Sequence, residues 1–191
     1  MDQTPPQRMK TTESPTLPAE LSPILAASLL GATPLAWLPA PEVPAPYQQL
    51  LVHDHDMNSK LAGFHRDSII LTVLHSRQLG DNYFREVTLH AATTGAPVEY
   101  GLIEILLDSF PADLRPFILA GDTPLGTVLT TSGLNFSSEP QGFFTIPADV
   151  LRAVFPKSPT GAKLFGRYNH LLGGDRTCLA RILEILPPLD S

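Results

Sequence analysis

Three runs of strand length follow one another between Ser68 and Leu107, and the segments joining them are too short to carry a parallel crossover. A parallel pair needs a connection of roughly a dozen residues or more, so Ser68 to His75, Tyr83 to His90 and Val98 to Leu107 are expected as antiparallel neighbours. Each run sets β-branched and aromatic residues among polar ones. In the middle run Tyr83, Arg85, Val87 and Leu89 share one face, while Phe84, Glu86, Thr88 and His90 share the other. Arg85 therefore falls in the more apolar row. A guanidinium keeps its charge, and burying one unpaired costs roughly several kcal/mol, so the fold must supply an anion. That anion is either a protein carboxylate or a ligand. Glu99, on a face with Gly101, Ile103, Ile105 and Leu107, is the protein candidate; Glu104 lies in the opposite row.

Further strands are expected over residues 142 to 146 and in a hairpin, Leu164 to Leu172 and Thr177 to Leu186, turning at residues 173 to 176. In its second arm Ala180, Ile182, Glu184 and Leu186 share a face, which sets Glu184 among apolar side chains. Desolvation raises a carboxyl pKa unless a cation opposes it, and a Glu kept protonated in a dry pocket is what a general acid requires. A structural Glu paired to an arginine leaves the same pattern. Helices are expected over Leu21 to Leu30, Ala112 to Ala120, Pro124 to Thr130 and Pro147 to Phe155. Asp122 or Thr123 would cap the third, whose free N–H groups suit a carboxylate. The fold class expected is α+β: a single antiparallel sheet with helices packed on it.

Half of the 20 prolines lie before residue 47. Residues 1 to 18 are polar and proline-bearing and are expected as a flexible tail. Residues 34 to 46 are expected as an extended strap laid on the core by Trp37. With 191 residues, 43% of them hydrophobic, residues 19 to 191 suffice for one domain. Between the strap and the first strand, His53 and His55 alternate with Asp54 and Asp56, donor types that suit zinc or iron. Without cysteine ligands or a distant histidine at a recognisable spacing, a capped turn entering a helix fits better, and no metal or cofactor is expected. A formal net charge of −6 and the lack of a Lys/Arg cluster argue against nucleic acid and anionic membranes as partners. Cys178 is the only cysteine, and no apolar run reaches the ~18 residues of a membrane span. The expectation is a soluble cytoplasmic protein, monomer or weak dimer, taking a small carboxylate-bearing molecule.

Six stretches, LLVHDHDM, REVTLH, PVEYGLIEI, AGDTPLG, FGRYNHL and ARILEILPP, follow in order through about residues 47 to 188. On these the chain resembles the chorismate lyase superfamily, whose enzymes split chorismate into 4-hydroxybenzoate and pyruvate. The resemblance implies an internal ligand cavity under helical flaps, and ligand contacts from Met57, Arg85, Leu125 and Glu184. Gly126 and Glu99 join them as substrate-binding candidates. Arg85 would hold a carboxylate and Glu184 would protonate the departing ether oxygen, with no cofactor. Asn58 follows Met57 where threonine is usual. Two alternatives stand beside a carbon–oxygen lyase. One is a hydrolase, isomerase or cyclase using His53, Asp54, Asp56, Glu99 or Glu184 as acid and base; the other is a non-catalytic protein that binds an aromatic acid.

Overall fold

The computed structural model describes Ala19 and residues 22 to 189; the tail expected over residues 1 to 18 lies outside them. Seven strands form one sheet: β1 (Ala36–Leu38), β2 (Ile69–Leu79), β3 (Asn82–Ala91), β4 (Pro97–Leu106), β5 (Phe136–Pro147), β6 (Lys163–Gly173) and β7 (Cys178–Leu186). Their order is β1-β5-β6-β7-β4-β3-β2, and every adjacent pair is antiparallel. Five helices accompany it: α1 (Ser22–Ala27), α2 (Ala45–Leu51), α3 (Met57–His65), α4 (Arg115–Ala120) and α5 (Leu125–Ser132). Among the described residues no helix is long and apolar enough to cross a membrane.

The alternation of β3 and β4 assigns each row to its own core. Phe84, Tyr100 and Leu102 pack with Phe144, Leu151, Phe155, Leu183 and Leu30 on one face. On the other, Leu89 packs with Met57, Leu61 and Leu186, while Ile103 and Ile105 pack with Leu125, Leu129 and Leu171. Each buried side chain of this kind contributes about 1.5–3 kcal/mol, so both faces hold the central strands in register. The acids of the first face are satisfied locally. Glu86 accepts from Tyr100 Oη at 2.6 Å and from the Leu29 amide at 2.8 Å. Glu104 accepts from Asn82 Nδ2 at 2.9 Å and Arg181 Nη1 at 2.6 Å.

Four local expectations change. The strap is partly a strand: Trp37 pairs with Phe144 and meets its ring edge-on at 5.5 Å, and α2 already begins at Ala45. β5 starts six residues before the expected position 142, through Pro140. Proline is tolerated there because β1 pairs only with residues 143 to 145, leaving Pro140 with β6 alone as a neighbour, next to an irregularity at Gln141. The helix expected from Pro147 to Phe155 is a short 3-10 turn, Ala148–Leu151, since prolines at 147 and 156 leave too little chain to propagate. α5 is capped by neither Asp122 nor Thr123; Pro124 is its N-cap and makes no side-chain bond.

Candidate functional site

Arg85, Val87 and Leu89 of β3, Glu99, Gly101 and Ile103 of β4, and Ile182 and Glu184 of β7 line the floor of one pocket. Asp56, Met57 and Asn58 at the start of α3, and Pro124, Leu125 and Gly126 at the start of α5, form its roof. The volume is about 80 Å³, small beside the ~300–1,000 Å³ that takes a drug-sized ligand. The register sets the floor: Gly101 lies between Val87 and Glu184, and Glu184 lies beside Arg167 of β6. A Cβ at position 101 would stand 3.0 Å from Val87 Cγ2 and 3.4 Å from Glu99 Oε1. The absent side chain is what gives the Glu99 carboxyl its room.

Arg85 occupies one end and is 3% exposed. Its Nη1 donates to the carbonyls of Gly121 at 3.3 Å and Thr123 at 3.2 Å, while Nε has no partner. Glu99 does not pair with it, and among the described residues no other carboxylate does. Burial disfavours the charged guanidinium, opposed by Tyr83 and Asp122. Arginine does not lose its proton in proteins, so the cost persists as a demand for an anion. The first N–H groups of α5 lie at the same pocket and are free of helical bonds.

A second group of charges occupies the other end. Glu184 accepts from Arg167 Nε, and Arg167, wholly buried, also donates through Nη1 to the carbonyls of Leu51 at 3.3 Å and His53 at 3.1 Å. Its Nη2 has no partner. Glu99 is 4% exposed and its Oε2 is likewise unpartnered. Burial first, and then the charge of Glu184, push its carboxyl pKa well above the usual range against the pull of Arg167. Between the ends the walls are Leu71, Leu171 and Ile182, with a buried Asn169 Nδ2–Ser138 Oγ hydrogen bond of 2.9 Å beside them.

The expected His/Asp cluster does not assemble. Asp56 caps α3 by accepting from the Ser59 amide at 2.8 Å, the capped turn that the spacing indicated. Asp54 and His55 form an exposed pair at 3.7 Å. His53 bonds the Leu50 carbonyl through Nε2 at 2.8 Å, and burial, followed by Arg167, lowers its pKa to about 4. Among the described residues no group of three or more His, Cys, Asp or Glu side chains could hold a metal. Met57, Arg85, Glu99, Leu125, Gly126 and Glu184 do meet at one pocket. Sequence reasoning missed Arg167, Ser138 and Asn169. Arg167 had the same signal as Arg85, a charge in the row of Phe165, Asn169 and Leu171.

No family model and no curated protein matches the chain. Among solved structures it is similar to PhnF from Mycobacterium smegmatis, at 11% identity and TM-score 0.53, covering 70% of this chain and 64% of that one. The isolated effector domain of the same PhnF matches at 10% identity and TM-score 0.50, over 69% of this chain and 88% of that one. The chain has the fold of that effector domain. A GntR-family transcriptional regulator from Bacillus cereus is more distant, at 10% identity and TM-score 0.46, over 64% of this chain and 96% of that one. This chain thus spans just under two thirds of the PhnF chain.

These likenesses overturn the assignment to the chorismate lyases: the solved structures at TM-score 0.50 or above are PhnF and its effector domain, not a lyase. The expected release of 4-hydroxybenzoate and pyruvate is withdrawn with it, as is the carbon–oxygen lyase or other enzyme. Local geometry agrees. Glu184, the expected general acid, is the acceptor in a buried ion pair, and the acids and histidines of the hydrolase or cyclase reading are spread over a cap, an exposed turn and the pocket. The exclusion of nucleic acid as a partner also falls, because this chain matches an effector domain and covers only 64% of the PhnF chain. A net charge counted over this chain says nothing of the remainder of such a protein.

Proposed function

We propose that this chain is a non-catalytic domain that binds a small carboxylate-bearing molecule, with Arg85 as the group that holds the carboxylate. The observation that carries the reading is the Arg85 guanidinium, buried at the pocket with Nε unpartnered, bonded to two backbone carbonyls and 5.9 Å from the centre of the Tyr83 ring, and paired with no carboxylate among the described residues. A carboxylate there would take charge-assisted bonds from the guanidinium and lie beside the first N–H groups of α5. The apolar walls suit a hydrocarbon portion, aliphatic or aromatic. At about 80 Å³ the pocket accepts a few heavy atoms as it stands, and a larger acid requires α3 and α5 to move apart. The likeness to an effector domain supports a role in sensing. We place that role in the cytoplasm, since one cysteine requires no oxidising compartment.

The test is calorimetric titration with acetate, propionate and benzoate at constant ionic strength, using chloride as the reference anion. At least one acid is expected to bind, and Arg85→Met is expected to weaken it by about tenfold or more, the equivalent of a charged hydrogen bond of ~1.5–3 kcal/mol. Equal binding by the two proteins, or heat from none of the acids, refutes the proposal.

A further inference from the structure

The pocket has two polar ends, and a carboxylate on Arg85 accounts for only one. At the other, Glu99 Oε2 and Asn58 Oδ1 are both buried hydrogen-bond acceptors without a donor. Beside Glu99, Glu184 adds a second carboxylate and Arg167 the cation that faces it, while Asp56 lies toward the start of α5, its Oδ1 3.7 Å from where a Cβ on Gly126 would stand. Glu184 is taken by Arg167 through Oε2, and Glu99 Oε2 is the carboxylate oxygen that is buried without a donor. A hydrogen-bond donor entering here meets a buried acceptor that the protein leaves unfilled.

We propose that the ligand is a small zwitterion, an α- or β-amino acid, whose ammonium group is received by Glu99 while its carboxylate is held by Arg85. The inference rests on the carboxylate reading above and adds the second end. The spacing is set by the sheet. Glu99 pairs with Leu89, four residues along β3 from Arg85, which is about 14 Å at ~3.4 Å per residue. The Glu99 side chain leans back over Gly101, toward Arg85, which removes about half of that. With one strand spacing of ~4.8 Å across, the Glu99 carboxyl stands on the order of 8–9 Å from the Arg85 backbone, and the arginine side chain sets the rest of the span. The volume of about 80 Å³ limits the ligand between them to a few heavy atoms, the size of a small amino acid. Leu71, Val87 and Ile103 offer its carbon atoms an apolar wall.

The arriving ammonium offsets the repulsion between Glu99 and Glu184 and stabilises the ionised Glu99. Titrations at pH 8 with alanine and β-alanine, each against propionate, read the second end directly. One amino acid is expected to bind about tenfold or more tightly than propionate, and Glu99→Gln is expected to bring that ratio close to one. Propionate binding as tightly as both amino acids overturns the zwitterion and leaves the anion pocket standing. An amino-acid preference that survives in Glu99→Gln also overturns it. If neither propionate nor the amino acids bind, the zwitterion falls, and the carboxylate reading falls with it when acetate and benzoate also give no heat.

Discussion

Replacing Glu99 by glutamine is expected to stabilise the protein at neutral and higher pH, by an amount that grows with pH. The folded-state pKa of Glu99 is raised, first by burial and then by the Glu184 charge. In the unfolded chain a glutamate titrates near its ordinary value of about 4.3. Between that value and the raised one, the folded state holds a proton that the unfolded state has released. Stability contributed by Glu99 is therefore fully present below about pH 4.3 and is lost as pH rises through the folded-state value. For one group the slope is at most about 1.4 kcal/mol per pH unit. Glutamine keeps the shape and removes the titration. His53 works in the opposite sense: its pKa of about 4 lies below that of an unfolded histidine, so its contribution rises with pH between about 4 and 6.5. Wild type alone can therefore look flat, and the difference between the two proteins is the informative quantity. Urea unfolding followed by far-UV circular dichroism at pH 5, 6, 7 and 8 measures it. The free-energy advantage of Glu99→Gln should climb with pH until the folded-state pKa is reached. A difference that is constant from pH 5 to 8, or that falls, refutes an acid held neutral by its surroundings.

Arg167→Met removes the cation from a fully buried ion pair and leaves the Leu51 and His53 carbonyls without their donor. A loss of about 3–5 kcal/mol follows. In a chain of this length that corresponds to a Tm lower by roughly 6–20 °C by calorimetry, and a drop under about 2 °C counts against the pair as a structural element. Gly166→Ala would place a Cβ 2.6 Å from the Glu184 carbonyl oxygen and 2.7 Å from Phe144 Cζ, on backbone and ring that cannot yield. It should cost about 1–3 kcal/mol or more in urea unfolding, whereas Gly63→Ala in α3, with nothing within 4 Å, should gain about 0.5–1 kcal/mol. Equal effects at the two positions contradict the packing described for β6.

Much of the site was legible because a strand has a period of two. Arg85, Glu99 and Glu184 each stand in an apolar row, and the pairs Arg85–Ile103, Leu89–Glu99 and Gly101–Glu184 carry those rows onto one face. Arg167 was open to the same reading, since FGRYNHL sets it between Phe165 and Asn169. β5 was only half visible: Pro140 argues against a strand until it is known that only one neighbour flanks it there. The 3-10 turn at Ala148–Leu151 has a helical pattern, and only the prolines on either side decide how far it runs.

Local sequence, then, determined which residues alternate, where the chain turns and which charges must enter the core, because these follow from backbone geometry and the desolvation of ions. It also produced a resemblance to an enzyme family that short motifs could not carry. Which charge meets which was decided only by the tertiary structure. Arg85 and Glu99 looked like partners from their rows, yet the β3–β4 register sets them four residues apart along the strands, while β6 brings Arg167 to Glu184 from 17 positions away. An ion pair forms over a few ångströms, and distances of that size between distant segments are fixed by strand order and register, which no local window contains.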